Sequence, residues 1–253
     1  MRSLYLKELR LYFTAPIFYA VACVFLIIAG IFFSNAMLRQ SMFAAQIAQY
    51  QVNTPVGLSE IVIQPVFDGI SILVLFLVPL FSMRLLAEEK AQGTIELLFT
   101  YPLTDVALVA SKYLAGLTVL AILIAFTGVY MGILAFLSPV DWGAVLSAYL
   151  GLTLLSGSFL ALGLFASSLT TNQIIAAAVS FGLILIFWVM GGLSEYLSSG
   201  AFSMVLAELG LSGHLSPFLN GMLVLKDAVF YLFFTLFFLS LTLSVLESRR
   251  WRG

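Results

Sequence analysis

The side chains that most often carry chemistry are scarce in this chain. Histidine and cysteine occur once each, at His214 and Cys23. One histidine without a nearby cysteine does not make a metal site, and one cysteine permits no intramolecular disulfide. The chain also lacks the Gly-x-x-x-x-Gly-Lys-Ser/Thr loop that cradles nucleotide phosphates. We therefore expect no catalytic residue, no metal and no cofactor in this chain.

The densest group of ionisable side chains lies between residues 83 and 105, which hold four of the 12 acidic residues. Arg84 and Glu88 are one helical turn apart, so we expect them to form an ion pair. Gly93 is expected to end this helix, and Thr94 is expected to cap the next one. This segment is therefore the first candidate for a functional site.

A short apolar helix is predicted next, with Ile95, Leu98 and Phe99 on one side and a stop at Pro102. A long helix over residues 106–137 follows. At about 1.5 Å per residue it reaches about 48 Å, which exceeds a bilayer core of about 30 Å, so its start projects from the membrane. The segment is either a simple connection between two spans or a lever moved by a soluble partner, and the residues alone leave both open.

Composition places the chain in a membrane. Hydrophobic residues make up 62% and charged residues 9%, whereas soluble domains carry about 25% charged residues. Only helices or closed barrels cross lipid, and no stretch alternates as barrel strands do. We predict one all-α membrane domain over residues 1–253 with six transmembrane helices. The spans are predicted near 17–37, 66–86, 106–137, 142–168, 173–193 and 226–246.

The basic residues orient these spans, because Lys and Arg are retained on the cytoplasmic side. Six spans put both termini on one side, and nine of the 11 basic residues fall there. Only Arg39 and Lys226 lie on the other side. The N and C termini are therefore predicted to be cytoplasmic.

The N-terminal residues predict an amphipathic helix on the inner membrane surface, ending before Pro16 starts the first span. Its polar residues recur at steps of three and four, opposite an apolar face. They are Ser3, Lys7, Arg10 and Thr14.

Two segments are predicted on the external side, 38–65 and 194–225. The first is expected to extend the first span as a helix broken at Pro55. The second is expected to be a helical hairpin dipping into the outer leaflet, because its apolar pieces are too short to span. Its expected breaks are Gly200, Gly210, Gly213 and Pro217.

Three charged or polar residues lie in or next to the second external segment. Lys226 and Asp227 are expected to neutralise each other. His214 is expected to be a polar loop residue rather than a ligand or a catalyst.

The order of motifs resembles the ABC exporter permeases of the second type, and among them it most resembles the gliding-motility-associated ABC transporter permease subfamily. The motif between spans two and three is Glu88-Glu89-Lys90, Gly93-Thr94-Ile95-Glu96-Leu97-Leu98, Pro102 and Lys112-Tyr113-Leu114. Later motifs are Phe165-Ala166-Ser167-Ser168-Leu169-Thr170, Asn172-Gln173-Ile174, Leu209-Gly210, His214, Gly221 and Lys226-Asp227.

The resemblance implies a permease of two copies, or of this chain with a related one, in a bacterial cytoplasmic membrane. Its short helix, residues 94–100, would dock on a separate ATP-binding subunit that holds ATP and Mg. An auxiliary protein with a periplasmic domain would complete the complex. The implied coupling residues are Arg84, Glu88, Glu89, Gly93, Thr94, Ile95, Glu96, Leu97, Leu98, Phe99, Pro102, Thr170 and Asn172.

Three function classes stay open at this point. The first is a permease subunit that exports or extracts an unidentified substrate with energy from a partner ATPase. The second is a membrane scaffold that recruits an ATPase without transport. The third, a channel or ion-coupled carrier, is disfavoured because nearly all charges lie at the span ends. The lipid bilayer is an expected partner, and no nucleic-acid partner is expected.

Overall fold

The protein is a helical bundle, seen in a computed structural model that describes residues 2–50, 62–93, 104–196 and 201–250. These residues contain no strand. The helices are α1 (Arg2–Thr14), α2 (Pro16–Tyr50), α3 (Gln64–Ser82), α4 (Ala87–Ala91), α5 (Asp105–Phe126), α6 (Gly128–Leu137), α7 (Trp142–Leu169), α8 (Gln173–Tyr196), α9 (Ala201–Leu209), α10 (Leu211–Leu219) and α11 (Leu225–Arg250).

Six stretches of the described residues are long and apolar enough to cross a membrane. They agree with the six predicted spans, and the first begins at Pro16 as expected. Together with the absence of strands among the described residues, this confirms an all-helical protein with six candidate spans. The stretches are Pro16–Phe43, Gln64–Ala91, Asp105–Leu137, Trp142–Leu169, Gln173–Leu193 and Leu225–Ser248.

The helix α7 forms the core, since it packs against α3, α5, α8, α10 and α11. Small residues allow this close approach, as they do between membrane helices generally. Gly163 lies against the hydroxyl groups of Ser82 and Ser180, and Gly151 lies against the ring of Phe218. Packing of this kind replaces the hydrophobic effect, which does not drive helices together in lipid.

The helices α2, α8 and α11, in contrast to α7, have surfaces that are mostly uncovered by other helices. Their exposed side chains are large and apolar, such as Ile27, Ile174 and Phe233. A surface of this composition is stable against lipid or another apolar helix, and not against water.

The two ends of α7 mark the two ends of the bundle. Ser167, in its last turn, accepts hydrogen bonds from the backbone where α4 begins. Gly151, in its first half, contacts Phe218 of α10. We call these the α4 end and the α10 end; an α-helix of the 28 residues of α7 is about 42 Å long.

The helix α11 runs parallel to α7. The hydroxyl of Thr235 is 3.3 Å from that of Ser158, and further toward the C-terminus of both helices the rings of Phe238 and Phe165 are 5.7 Å apart. The C-terminal part of α11 therefore lies toward the α4 end, where α1 also lies.

Two spans differ from the predicted boundaries. The second was predicted to stay helical to residue 86, but α3 ends at Ser82 and residues 83–86 form turns. The third was predicted as one helix over 106–137, but it breaks at Thr127. There the backbone N–H bonds the carbonyl of Ile124 at 3.0 Å, three residues back instead of four, and the hydroxyl bonds the same carbonyl at 2.6 Å.

The structure tests where the predicted segments between spans are helical and where they break. The helix α2 does continue past the first span, to Tyr50; Pro55 and Gly200 lie outside the described residues. The hairpin breaks at Gly210, between α9 and α10. Gly213 and Pro217 were wrongly expected to interrupt it, and both lie inside α10, where packing against α7 and α8 outweighs their low helix propensity.

Gly210 gives a test of this packing. A Cβ at Gly210 would lie 2.2 Å from backbone atoms of Gly191 in α8, and backbone atoms cannot rotate away. We expect Gly210→Ala to cost roughly 1–3 kcal/mol and to lower the melting temperature in detergent by roughly 2–12 °C. Gly192→Ala is the control, because nothing lies within 4 Å of its added Cβ. Equal melting temperatures for the two variants would contradict the close contact.

Candidate functional site

A buried lysine joins three helices at the α4 end. The Lys112 Nζ of α5 donates to Glu8 Oε1 of α1 at 3.0 Å and to Glu89 Oε1 of α4 at 2.8 Å. The Lys112 side chain is only 2% exposed. One cation therefore holds two carboxylates from elements far apart in the sequence.

Local sequence explains how Glu8 reaches this position. The residues Leu4, Glu8 and Tyr12 are spaced by four, so they form one stripe along α1, and that stripe faces the bundle. The predicted amphipathic helix is present, but its bundle-facing side carries a carboxylate. Sequence reasoning missed this partner, although an acidic residue in a stripe otherwise lined by Leu and Tyr is a signal for a buried counter-charge.

Burying the ion pairs of Lys112 with Glu8 and Glu89 costs free energy, and removing one partner once they are buried costs more. A charge moved out of water loses hydration worth several kcal/mol, which is recovered only when opposite charges and hydrogen bonds surround it. Lys112 is surrounded in this way, with both carboxylates within hydrogen-bond distance. Any movement of α4 away from α5 therefore separates buried opposite charges.

The start of α4 is fixed to α7 by a serine hydroxyl. Ser167 Oγ accepts from the backbone N–H groups of Leu86 and Ala87 at 3.1 and 2.9 Å, and donates to the carbonyl of Met83 at 3.2 Å. This uses the one donor and both acceptor sites of a hydroxyl. Ser167 thus supplies hydrogen-bond partners for buried backbone groups of the turns between α3 and α4, which would otherwise be unpaired.

The predicted ion pair between Arg84 and Glu88 is wrong. Among the described residues Arg84 makes no ion pair, and Glu88 Oε1 accepts from Gln92 Nε2 at 3.3 Å. The reason is the turn over residues 83–86, because the two side chains no longer lie on one continuous helix.

Gly93 ends α4, as predicted. It has a φ of +68°, in the left-handed region that favours glycine at the residue beyond a helix. Its N–H bonds the carbonyl of Lys90 at 3.3 Å. The remaining predicted residues of this segment lie outside the described residues. They are Thr94, Ile95, Glu96, Leu97, Leu98, Phe99 and Pro102.

The turn between α7 and α8, which holds the implied coupling residues Thr170 and Asn172, adjoins α4. The Lys90 ammonium donates to the carbonyl of Ser168, just before the turn. Within the turn, Asn172 Oδ1 caps α8 by accepting from the N–H of Ile174 at 2.9 Å, and Thr170 Oγ1 accepts from the Asn172 N–H at 3.1 Å. The structure thus brings Thr170 and Asn172 next to the base of the 83–105 segment.

Two tyrosines hold α1 against the bundle. The Tyr5 and Thr118 hydroxyls are 3.0 Å apart, and Tyr12 donates to the carbonyl of Phe81 at 3.2 Å. Burial, reinforced by the carboxylate of Glu8 and opposed by Arg84, raises the pKa of the Tyr12 phenol above its ordinary value. The phenol therefore keeps its proton and remains a hydrogen-bond donor.

A second buried polar pair lies at the α10 end. His214 Nδ1 is 2.6 Å from Asp227 Oδ1, its Nε2 donates to the carbonyl of Glu208 at 3.1 Å, and its ring stacks on Phe230 at 3.9 Å. Lys226 instead pairs with Glu208 at 2.6 Å, which lowers the pKa of that carboxyl.

The expected mutual neutralisation of Lys226 and Asp227 is therefore wrong: neighbouring residues on a helix point in different directions, and each finds a partner outside α11. His214 was wrongly expected in a loop, since it lies inside α10 and is buried. Among the described residues no cluster of three or more His, Cys, Asp or Glu side chains has the arrangement of a metal site.

A comparison with protein families decides what kind of bundle this is. Residues 2–221 match the family described as ABC-2 family transporter protein. The chain belongs to this family. The match to the ABC-2 transporters includes α1, the 83–105 segment, α7 and the α9–α10 hairpin, and it ends just before α11. A search of curated proteins found no match.

Membership makes the chain a multi-pass membrane protein and a membrane transport component of a kind that is generally not catalytic and generally has an ATP-binding partner. The resemblance seen in the motifs is thereby confirmed at the level of the ABC-2 family. The gliding-motility subfamily stays a prediction.

Lys112→Met tests the buried cluster. The substitution leaves two buried carboxylates without their cation, so we expect it to lower the free energy of unfolding by roughly 3–5 kcal/mol, measured by denaturant titration in detergent. Adding Glu8→Gln and Glu89→Gln removes the uncompensated charges and should restore most of the loss. The control is Lys7→Met, an exposed lysine of α1. A Lys112→Met variant as stable as the control would contradict the cluster.

Ser167→Ala tests the anchoring of α4. It leaves the N–H groups of Leu86 and Ala87 without their acceptor, at about 1–3 kcal/mol for each buried group. We expect these amides to exchange hydrogen at least about tenfold faster, measured by mass spectrometry. Ser168→Ala should leave the rates unchanged, because the Ser168 hydroxyl bonds only the local carbonyl of Phe165 and its backbone carbonyl is kept. Equal exchange in the two variants would contradict the anchor.

Proposed function

We propose that this ABC-2 chain is the permease subunit of an ATP-driven transporter, and that it couples ATP hydrolysis on a separate subunit to export or extraction of a substrate. Residues 87–105 are the coupling segment. Residues 94–100 within it, which the sequence predicts to be a short helix and which lie outside the described residues, are the docking helix that binds the ATPase. The residues of that helix that face the partner are the apolar ones, Ile95, Leu98 and Phe99.

The observation that carries the proposal is the buried contact of Lys112 with Glu89 and Glu8. Glu89 lies before the docking helix in the sequence and Lys112 lies after it, so the helices on either side of it, α4 and α5, are joined to each other and to α1. A loop that merely connects two spans needs no such junction. A force applied at the docking helix reaches α4 and α5 together.

The energy enters by differential binding. The docking helix binds one conformation of the ATPase better than another, and the equilibrium of the permease shifts by that difference in affinity. ATP and Mg are bound on the ATPase, since this chain has no phosphate-binding loop.

A second contact with the ATPase lies in the turn between α7 and α8. Thr170 and Asn172 sit beside α4, which Ser167 and the carbonyl of Ser168 hold in place. One partner surface therefore spans both the docking helix and this turn. Arg84, Glu88, Glu89 and Gly93 complete the base of that surface.

The α4 end faces the cytoplasm in this proposal, as the distribution of basic residues favours. The chain works as a homodimer, for which the uncovered apolar faces of α2, α8 and α11 leave room. Its membrane is the bacterial inner membrane. We place it in the gliding-motility-type subfamily on its motifs, with an auxiliary protein that carries a periplasmic domain as a further partner.

Leu98→Asp tests the coupling segment. The chain is co-expressed with the ATPase encoded beside its gene, and co-purification and permease-stimulated ATP hydrolysis are measured. A charge in the apolar docking surface should reduce both at least about tenfold, since burying an unpaired carboxylate costs several kcal/mol. Ser248→Asp adds the same charge at an exposed position of α11, outside the coupling segment and the α7–α8 turn, and should leave both unchanged.

Two results would overturn the proposal. One is the failure of any neighbouring ATPase to bind the wild-type chain, and the other is unaltered coupling in Leu98→Asp. If the complex forms in response to nucleotide but liposomes transport none of the candidate substrates, a membrane scaffold that recruits an ATPase replaces the permease.

A further inference from the structure

A cavity of about 760 Å³ opens beneath α1 at the α4 end. Its walls come from α1, the first turns of α2, the last turn of α3, and α4. It is as large as many small-molecule sites, which range over about 300–1,000 Å³. The roof is fixed, because α1 is held by Tyr5, Glu8 and Tyr12 to two different helices, so the cavity is a built feature of the fold.

The cavity has an apolar part and a charged part. Phe18, Val21 and Phe81 line the apolar part, where the rings of Phe18 and Phe81 are 6.1 Å apart. Lys7 and Arg84 line the charged part. A ligand that fits both parts must itself be amphiphilic, with an apolar tail and a polar head.

The charges favour a head group that contains an anionic phosphodiester. Glu8 and Glu89, which also line the cavity, are already held by Lys112. Among the described residues, neither Lys7 nor Arg84 lies within 4.0 Å of a carboxylate. Two cations therefore remain for a ligand. A guanidinium and an ammonium lining one cavity suit a phosphodiester, which Arg binds through two parallel hydrogen bonds.

The mouth of the cavity indicates where the ligand comes from. Leu11, Ile17 and Leu80 line it and are about half exposed, at 55%, 56% and 49%. In a chain whose spans cross a membrane, exposed apolar side chains at the end of a span or in a helix next to it face lipid. The ligand thus enters sideways from the bilayer, with its tail along the apolar part.

We propose that this cavity binds one phospholipid of the adjacent leaflet, with its phosphate at Arg84 and Lys7 and an acyl chain along Phe18, Val21 and Leu80. The bound lipid occupies the space between α1 and the base of the coupling segment. The proposal requires only that the helices span a bilayer, so it stands or falls separately from docking of the ATPase.

The test uses the full chain in nanodiscs that contain a phosphatidylethanolamine with a photoreactive group at the start of one acyl chain. Cross-linked peptides are identified by mass spectrometry. Labelling of residues 11–21 should saturate with lipid concentration and should be competed by unlabelled phosphatidylethanolamine. Diacylglycerol, which lacks the phosphate, and inorganic phosphate, which lacks the tail, should not compete.

Variants separate the two parts of the site. Lys7→Gln with Arg84→Gln should weaken labelling at least about tenfold, because charged hydrogen bonds to the phosphate are lost. Val21→Trp should abolish it by filling the apolar part while all charges stay in place. Arg10→Gln is the control, since Arg10 is an exposed cation of the same helix that does not line this cavity.

Three results would overturn the site. They are labelling that never saturates, equal competition by diacylglycerol, and unchanged labelling in both the charge and the filling variants. If the Leu98→Asp test fails but labelling still saturates, the lipid site stands. If labelling does not saturate but the Leu98→Asp test succeeds, the lipid site is wrong and the coupling segment is unaffected.

Discussion

The pairing of Lys112 with two carboxylates constrains the whole α4 end. A lysine that is 2% exposed is stable only with opposite charge at hydrogen-bond distance, and here that charge comes from Glu8 in α1 and Glu89 in α4. Three elements that differ in sequence position and in length are thus required to meet at one atom. The placement of α1 across the bundle, and the cavity beneath it, depend on this meeting. So does the position at which the chain leaves α4.

In the rest of the bundle, the way the helices pack depends on lipid being the surrounding solvent. Because lipid gives apolar side chains no reason to associate, helix contacts are made through small residues and interhelical hydrogen bonds. Gly151 and Gly163 bring neighbours close to α7, and hydroxyl groups such as those of Ser158 and Thr235 meet between α7 and α11. Large apolar residues are left over for the outer surface, the reverse of a water-soluble domain.

The sequence predicts what depends on local pattern and composition. The six spans follow from apolar length, the amphipathic α1 from its period, and the end of α4 from Gly93. It does not predict the buried cluster, because Glu8 and Lys112 are 104 residues apart and no local rule joins them. The turn over residues 83–86 was missed for the same reason, since its amides are satisfied by Ser167 of a different helix. The wrong prediction of an ion pair between Arg84 and Glu88 followed from missing that turn.

The glycines of α7 also limit how this helix moves. Gly163 fits against Ser82 only because it has no side chain, and its neighbours Leu162 and Leu164 point about 100° away on either side, at 3.6 residues per turn. A rotation of α7 about its own axis would drive one of these leucines into α3, and the same holds for Gly151 against Phe218. The contacts at Gly163 and Gly151 therefore oppose rotation of α7 about its own axis, and a conformational change that rotates this helix must first open its contacts with α3 and α10.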